Sequence, residues 1–83
     1  MWRDDLQALE FVPDGHAGRC LIHKLALRRW LPVFTADTCL GFFDDRRAAF
    51  QVAAAAKIRR RNLPPEAAFH LTSRDLAPAL TPL

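Results

Sequence analysis

Glycine is scarce in this 83-residue chain, which holds only Gly15, Gly18 and Gly41. None of the three belongs to a glycine-rich phosphate loop, so the nucleotide chemistry that depends on such a loop has no anchor. Cysteine is scarcer still. Cys20 and Cys39 are the only two, and two reduced thiols are the expected state. Long apolar runs are missing altogether. No segment approaches the roughly 20 apolar residues of a membrane span, and "MWRDDLQALEF" at the amino terminus has no apolar stretch of signal-peptide length. The expectation is a cytoplasmic protein that does not engage membranes.

What is present is a globular composition. At 51% hydrophobic and 25% charged, the chain has enough apolar side chains to fold, unlike a disordered segment. Its length allows a single core. A core this small is often supplemented by a second copy, which makes a homodimer the expected partner state. The net charge of +3 is unevenly placed: residues 1–41 carry five basic and five acidic side chains, residues 42–83 seven and four. An excess of this size is weak grounds for a nucleic-acid or anionic partner.

Hydrophobic periodicity gives the element order. Leu9 and Phe11 alternate with Glu10 and Val12, and Cys20 and Ile22 with Leu21 and His23, which predicts strands over 8–12 and 18–23. Between them "PDG" at 13–15, with Gly18 three residues on, supplies turn chemistry. Leu27, Trp30 and Leu31 suit a short helix over 24–31, ended by Pro32. A long helix is expected over 39–61, capped by Asp37 or Thr38, with Phe43, Phe50, Ala54 and Ile58 as its core stripe. Asn62 and the prolines at 64–65 end it. Phe69 and Leu71 alternate with His70 and Thr72 in a final strand over 67–73. The sum is an α+β domain over residues 1–76: a small, mainly antiparallel sheet with helices packed on one face, followed by a flexible tail over 77–83.

Candidate chemistry is thin. His16, Cys20, His23 and Cys39 have zinc-ligand character, but Cys20 and His23 differ in strand parity and point to opposite faces, so no metal and no cofactor is expected. The paired carboxylates Asp4–Asp5 and Asp44–Asp45 diverge rather than converge. No nucleophile has a base at a telling spacing, so a non-enzymatic role is expected. Arg47 falls within the apolar stripe of the long helix and must either reach water or meet a carboxylate, with Asp75 or an acid of the amino-terminal strand as its ion-pair partner, or else serve an anion or partner site. Ala49, Ala53 and Ala56 recur on a second helix face, where small side chains permit close approach of another subunit. Arg28 and Arg29, with Arg59, Arg60 and Arg61, form a candidate basic patch. The triplet complements the dipole of a helix end and must spread over about 200° of it, so only feeble anion or nucleic-acid binding is expected, without specificity.

Taken in order, Trp2, Leu9, Phe11, Gly18, Cys20, Ile22, "LAL", Phe43, Arg47, Phe50, Ala54, Ile58 and "LTSRDL" are landmarks that line up with a family. The chain resembles, over roughly residues 2 to 76, the small bacterial proteins of the domain of unknown function 1488. The connector at 32–40 and the alanine run depart from that pattern. The resemblance implies a compact bacterial α+β protein, with arginine at position 47 and with no catalytic residues to transfer. A self-associating accessory or interaction module is the leading functional expectation, and weak nucleic-acid or anion binding the alternative.

Overall fold

A computed structural model describes residues 1–80; of the expected tail, 81–83 lie outside the described residues. The fold is α+β. A four-stranded sheet in the order β1-β2-β3-β4 is combined with three α-helices. Strands β2 (Ala8–Phe11) and β3 (Cys20–His23) form the hairpin that the alternation predicts, with Leu9 opposite Ile22 and Phe11 opposite Cys20. A two-residue strand β1 (Trp2–Arg3) pairs antiparallel with β2 through a tight turn. Gln7 closes that turn at φ 52, in the left-handed region, while its side-chain amide donates to the Asp4 carbonyl at 2.8 Å. The last strand is shorter than expected. Only Phe69–His70 forms β4, which runs parallel to β3 and makes the sheet mixed.

The two hairpin glycines differ in purpose. Gly15 takes φ 76 in the turn, where a side chain would be strained. Gly18 is instead a close-approach residue: a Cβ there would lie 2.0 Å from the Ala67 carbonyl oxygen. The neighbouring amides of Ala17 and Gly18 both donate to the Pro65 carbonyl, at 2.8 and 3.2 Å. This clasp ties the hairpin to the segment that leads into β4.

The helices depart further from expectation. The short helix shrinks to a 3₁₀ turn, Lys24–Leu27, whose Leu25 amide finds an acceptor in the His23 ring. The long helix is two helices, α1 (Ala36–Asp45) and α2 (Arg47–Arg61), broken at Arg46. On a straight helix Phe43 and Phe50 would be separated by about 10.5 Å along the axis. The break brings their rings to 5.0 Å, and Phe42 to 6.1 Å from Phe50. The cap of α1 is Thr35, not Asp37 or Thr38: Thr38 N–H donates to Thr35 Oγ1 at 3.2 Å and Thr35 N–H to Thr38 Oγ1 at 2.9 Å, a reciprocal capping box. Asn62 ends α2 in the left-handed conformation, as read from the sequence.

Residues 77–80, expected in the tail, belong instead to a helix. Ser73–Leu80 forms α3, with Leu76 and Leu80 buried one turn apart. Thr72 and Asp75 cap it reciprocally, at 3.3 Å for Asp75 N–H to Thr72 Oγ1 and 2.8 Å for Thr72 N–H to Asp75 Oδ2. Pro78 is tolerated because the carbonyl it leaves without a helix donor belongs to Arg74, which is exposed to water. The core joins Leu9, Cys20 and Ile22 of the sheet to Phe43, Phe50, Ala53, Ala54, Leu76 and Leu80 of the helices. No helix among the described residues is long and apolar enough to cross a membrane.

Candidate docking groove on the open sheet face

The strand register divides the sheet residues into two faces. Trp2, Leu9 and Ile22 form one row across β1, β2 and β3, and Phe11, Cys20 and Phe69 another across β2, β3 and β4; both face the core. The opposite face carries the rows Arg3–Ala8–His23 and Glu10–Leu21–His70. Its β1 side is polar: the Glu10 carboxylate takes Arg3 at 2.7 Å and Arg19 at 3.8 Å. The remainder is an apolar groove of about 500 Å³, lined by Leu6, Ala8, Leu21, Leu25, Ala26 and Leu71, with His23, His70, Thr72 and Ser73 at its rim. Leu6 and Leu25 stand out of it, 43% and 48% exposed.

Local structure sets these positions. The turn at 4–7 lifts Leu6, and the 3₁₀ turn folds Leu27 into the core while leaving Leu25 outside. His23 Nδ1 accepts the Leu25 N–H at 3.1 Å, which orients the ring and places a neutral imidazole's proton on Nε2. His70 occupies the β4 edge, where its carbonyl accepts a hydrogen bond from Lys57 Nζ at 2.8 Å.

Behind His70 lies the best-formed polar cluster. Asp75 accepts from Lys57 Nζ at 2.7 Å, Arg60 Nη2 at 2.9 Å, and the Thr72 amide and hydroxyl at 2.8 and 3.0 Å. Burial alone would raise its pKa, but the Lys57 and Thr72 hydrogen bonds outweigh that and hold the carboxyl at about 2. With four donors around one carboxylate, this is a fastening between α2, β4 and α3 rather than an open site.

Several expected groupings are not brought together. Arg47 does not meet Asp75: its guanidinium pairs with Asp44 at 2.7 Å on the exposed side of α1–α2 and stacks over Phe43 at 5.1 Å. The break at Arg46 turns it out of the core stripe. The true partners of Asp75, Lys57 and Arg60, went unread, although "TSRD" carries the spacing of a helix-start capping box. The alanine face is not a free surface. Ala53 is buried in the protein's own core and Ala49 packs on that core, leaving only Ala56 exposed. In the basic group, Arg28, Arg29, Arg59, Arg60 and Arg61 are all exposed. They are not equivalent, because Arg60 is committed to Asp75 and Arg29 stacks on Trp30 at 5.6 Å.

The residues with metal-ligand character are also dispersed. Cys20 lies in the core, His23 on the groove, and His16 makes a 2.8 Å hydrogen bond to the Ala67 carbonyl. Among the described residues no three His, Cys, Asp or Glu side chains converge on a point that would hold a metal. Burial pushes the Cys20 thiol up to about 12 and raises that of Cys39 as well, so both are held as neutral thiols, poor nucleophiles. No family model, curated protein or solved structure matches the chain.

Proposed function

We propose that this chain is a non-enzymatic protein-interaction module whose docking surface is the groove on the open sheet face, and that it works as a homodimer. One observation carries the reading: an apolar hollow floored by Ala8, Leu21 and Leu71 lies between two exposed leucines, Leu6 and Leu25. Leu6 and Leu25 are thus exposed beside one another at an apolar hollow rather than singly on the surface. The non-enzymatic part is supported by how the reactive groups are spent. Asp75 is saturated with donors, Cys20 is neutral and buried, and His23 Nδ1 is engaged by backbone. Kinship with the family of the domain of unknown function 1488 belongs to the same proposal, supported by the order of landmarks from Trp2 to Ile58 along an α+β chain. A cytoplasmic setting is proposed with it, supported by two free, buried cysteines.

The test compares proteins captured by immobilised wild type, Leu25→Glu and Val52→Glu. Val52 is 62% exposed on α2 and serves as the control. Proteins retained by wild type and Val52→Glu but lost from Leu25→Glu are the expected result. An unchanged set on Leu25→Glu would remove the groove as the docking surface.

A further inference from the structure

We infer that the His23 ring is a proton-sensitive cap: neutral, it holds the 3₁₀ turn Lys24–Leu27 closed, and protonated, it releases the exposed Leu25. The inference stands on the turn itself and does not need the groove to be a docking surface. Cap geometry is the first observation. His23 has an extended backbone, φ −63 and ψ 144, and its Nδ1 accepts the Leu25 N–H at 3.1 Å. A ring nitrogen accepts only while it carries no proton. Serine, threonine, asparagine and aspartate, the common capping side chains, keep an acceptor oxygen throughout the neutral range. Imidazole is the side chain that gives its acceptor up between pH 5 and 8. On protonation Nδ1–H would point at the Leu25 N–H, so the ring swings away and the amide is left to water.

How the rest of the turn is held is the second observation. Its two ends are fastened independently of the ring. The Lys24 N–H donates to the Gln7 carbonyl at 3.0 Å, and its ammonium to Gln7 Oε1 at 3.0 Å. Leu27 is fully buried, and its carbonyl accepts from the Trp30 and Leu31 amides at 2.9 and 3.0 Å. Between these anchors Leu25 is half exposed. It relies on His23 for its amide and on a long 3.4 Å bond from the Arg28 N–H for its carbonyl. Loss of the cap therefore acts on Leu25 and Ala26, which form one wall of the groove.

Charge is the third. On β2 the ring's cross-strand neighbour is Ala8, and the row ends on β1 at Arg3, which holds Asp5 and Glu10 at 2.8 and 2.7 Å. The turn itself contributes Lys24, and the turn at 4–7 contributes Asp4, which accepts from Gln7 Nε2 at 3.2 Å. Across the groove stand His70, Thr72 and Ser73, with Asp75 behind them taken by Lys57 and Arg60. No carboxylate among the described residues is paired with the His23 ring. A charged ring thus gains no ion pair to offset the lost cap.

Heteronuclear NMR between about pH 8 and pH 5, on wild type, His23→Asn and His70→Gln, tests this. In wild type the Leu25 amide should lose exchange protection by about fivefold, the factor that one cap typically contributes. Its resonance should move with the same midpoint as the His23 ring, while the Lys24 amide, bonded to Gln7, keeps its protection. His23→Asn retains an acceptor at every pH in the range, so Leu25 should stay protected throughout. His70→Gln should titrate as wild type does. A wild-type Leu25 amide that is unchanged across the range would overturn the inference. A transition that persists in His23→Asn, or vanishes in His70→Gln, would overturn it as well, by assigning the change to another group. Should His23→Asn not fold, His23→Ser takes its place under the same readings.

Discussion

The two faces of the sheet are made by the same strands and differ less in residue type than in what lies across from them. On one face Leu9 and Ile22 are at 1% and 0% exposure beneath Phe43, Phe50 and Leu76. On the other, Ala8 at 3% exposure and the half-buried Leu21 line a groove flanked by Leu6, Leu25, His23 and His70. An antiparallel sheet with one wet face normally alternates apolar with polar residues. β3 does not: its outward positions are Leu21 and His23. Apolar content in a strand thus does not by itself tell which of its faces the chain's own helices cover.

The difference can be broken most severely from the core side. Ala53→Glu would place a carboxylate without a partner inside the core, at a site 4% exposed; loss of the folded state in circular dichroism is expected, because an unpaired buried charge exceeds what a small domain can absorb. Phe50→Ala should cost about 3–5 kcal/mol in chemical denaturation, since the ring is fully buried against Phe42 and Phe43. A stable Phe50→Ala protein would show that the covered face is not where stability resides.

At the seam between the faces, Asp75 makes stability depend on acid. Its folded pKa of about 2 lies below the ordinary 3.8. The group therefore contributes stability that is fully present above about pH 4 and lost as pH falls through 2, a change of about 2 kcal/mol. Asp75→Asn should lower stability at neutral pH by a similar amount and flatten the acid limb between those values. An unaltered acid limb in that variant would assign it to other carboxylates.

Smaller still is the effect of the helix end. Replacing Arg59, Arg60 and Arg61 by glutamine should cost about 1 kcal/mol through the lost dipole complement, with little from the exposed Arg60–Asp75 pair. No specific DNA or RNA retention is expected at about 150 mM salt in either form; sub-micromolar, sequence-dependent binding abolished by the triple replacement would transfer function to the arginines. Least of all, Leu25→Glu should change the unfolding free energy of the monomer by less than about 0.5 kcal/mol. A larger loss would mean that Leu25 belongs to the core.

The β2–β3 hairpin, the left-handed stop at Asn62 and the α+β class were legible because each rests on local chemistry: period-two alternation, a residue that tolerates positive φ, a proline pair. The capping box "TSRD" is equally local, yet the two prolines beyond it suggest a tail from residue 77, which hides α3 and the Lys57–Asp75 fastening. The break at Arg46 had no such signal. Its neighbours favour a helix on both sides, and the close packing of Phe43 on Phe50 that accompanies the break is a contact no local pattern shows. Arg47 and the alanine face were misplaced for that same reason, since both had been positioned on an unbroken helix. The groove was half visible: both faces of the second strand read as partly apolar, but whether that meant a sheet interior or an uncovered surface could not be decided from one strand.

Sequence by itself determined the strand residues of the hairpin, the helical character of 47–61, its capped end and the even charge of the first half, because each follows from neighbours a few residues apart. Tertiary structure alone decided that Gly18 must be glycine, that the helix bends, that Asp75 belongs to Lys57 and that one apolar face is left open. Each of these depends on groups far apart in the chain: Ala67 against Gly18, Phe43 against Phe50, α3 against α2. No local pattern encodes the separation at which such groups come to rest, since that is fixed by how all the side chains between them fill the same space.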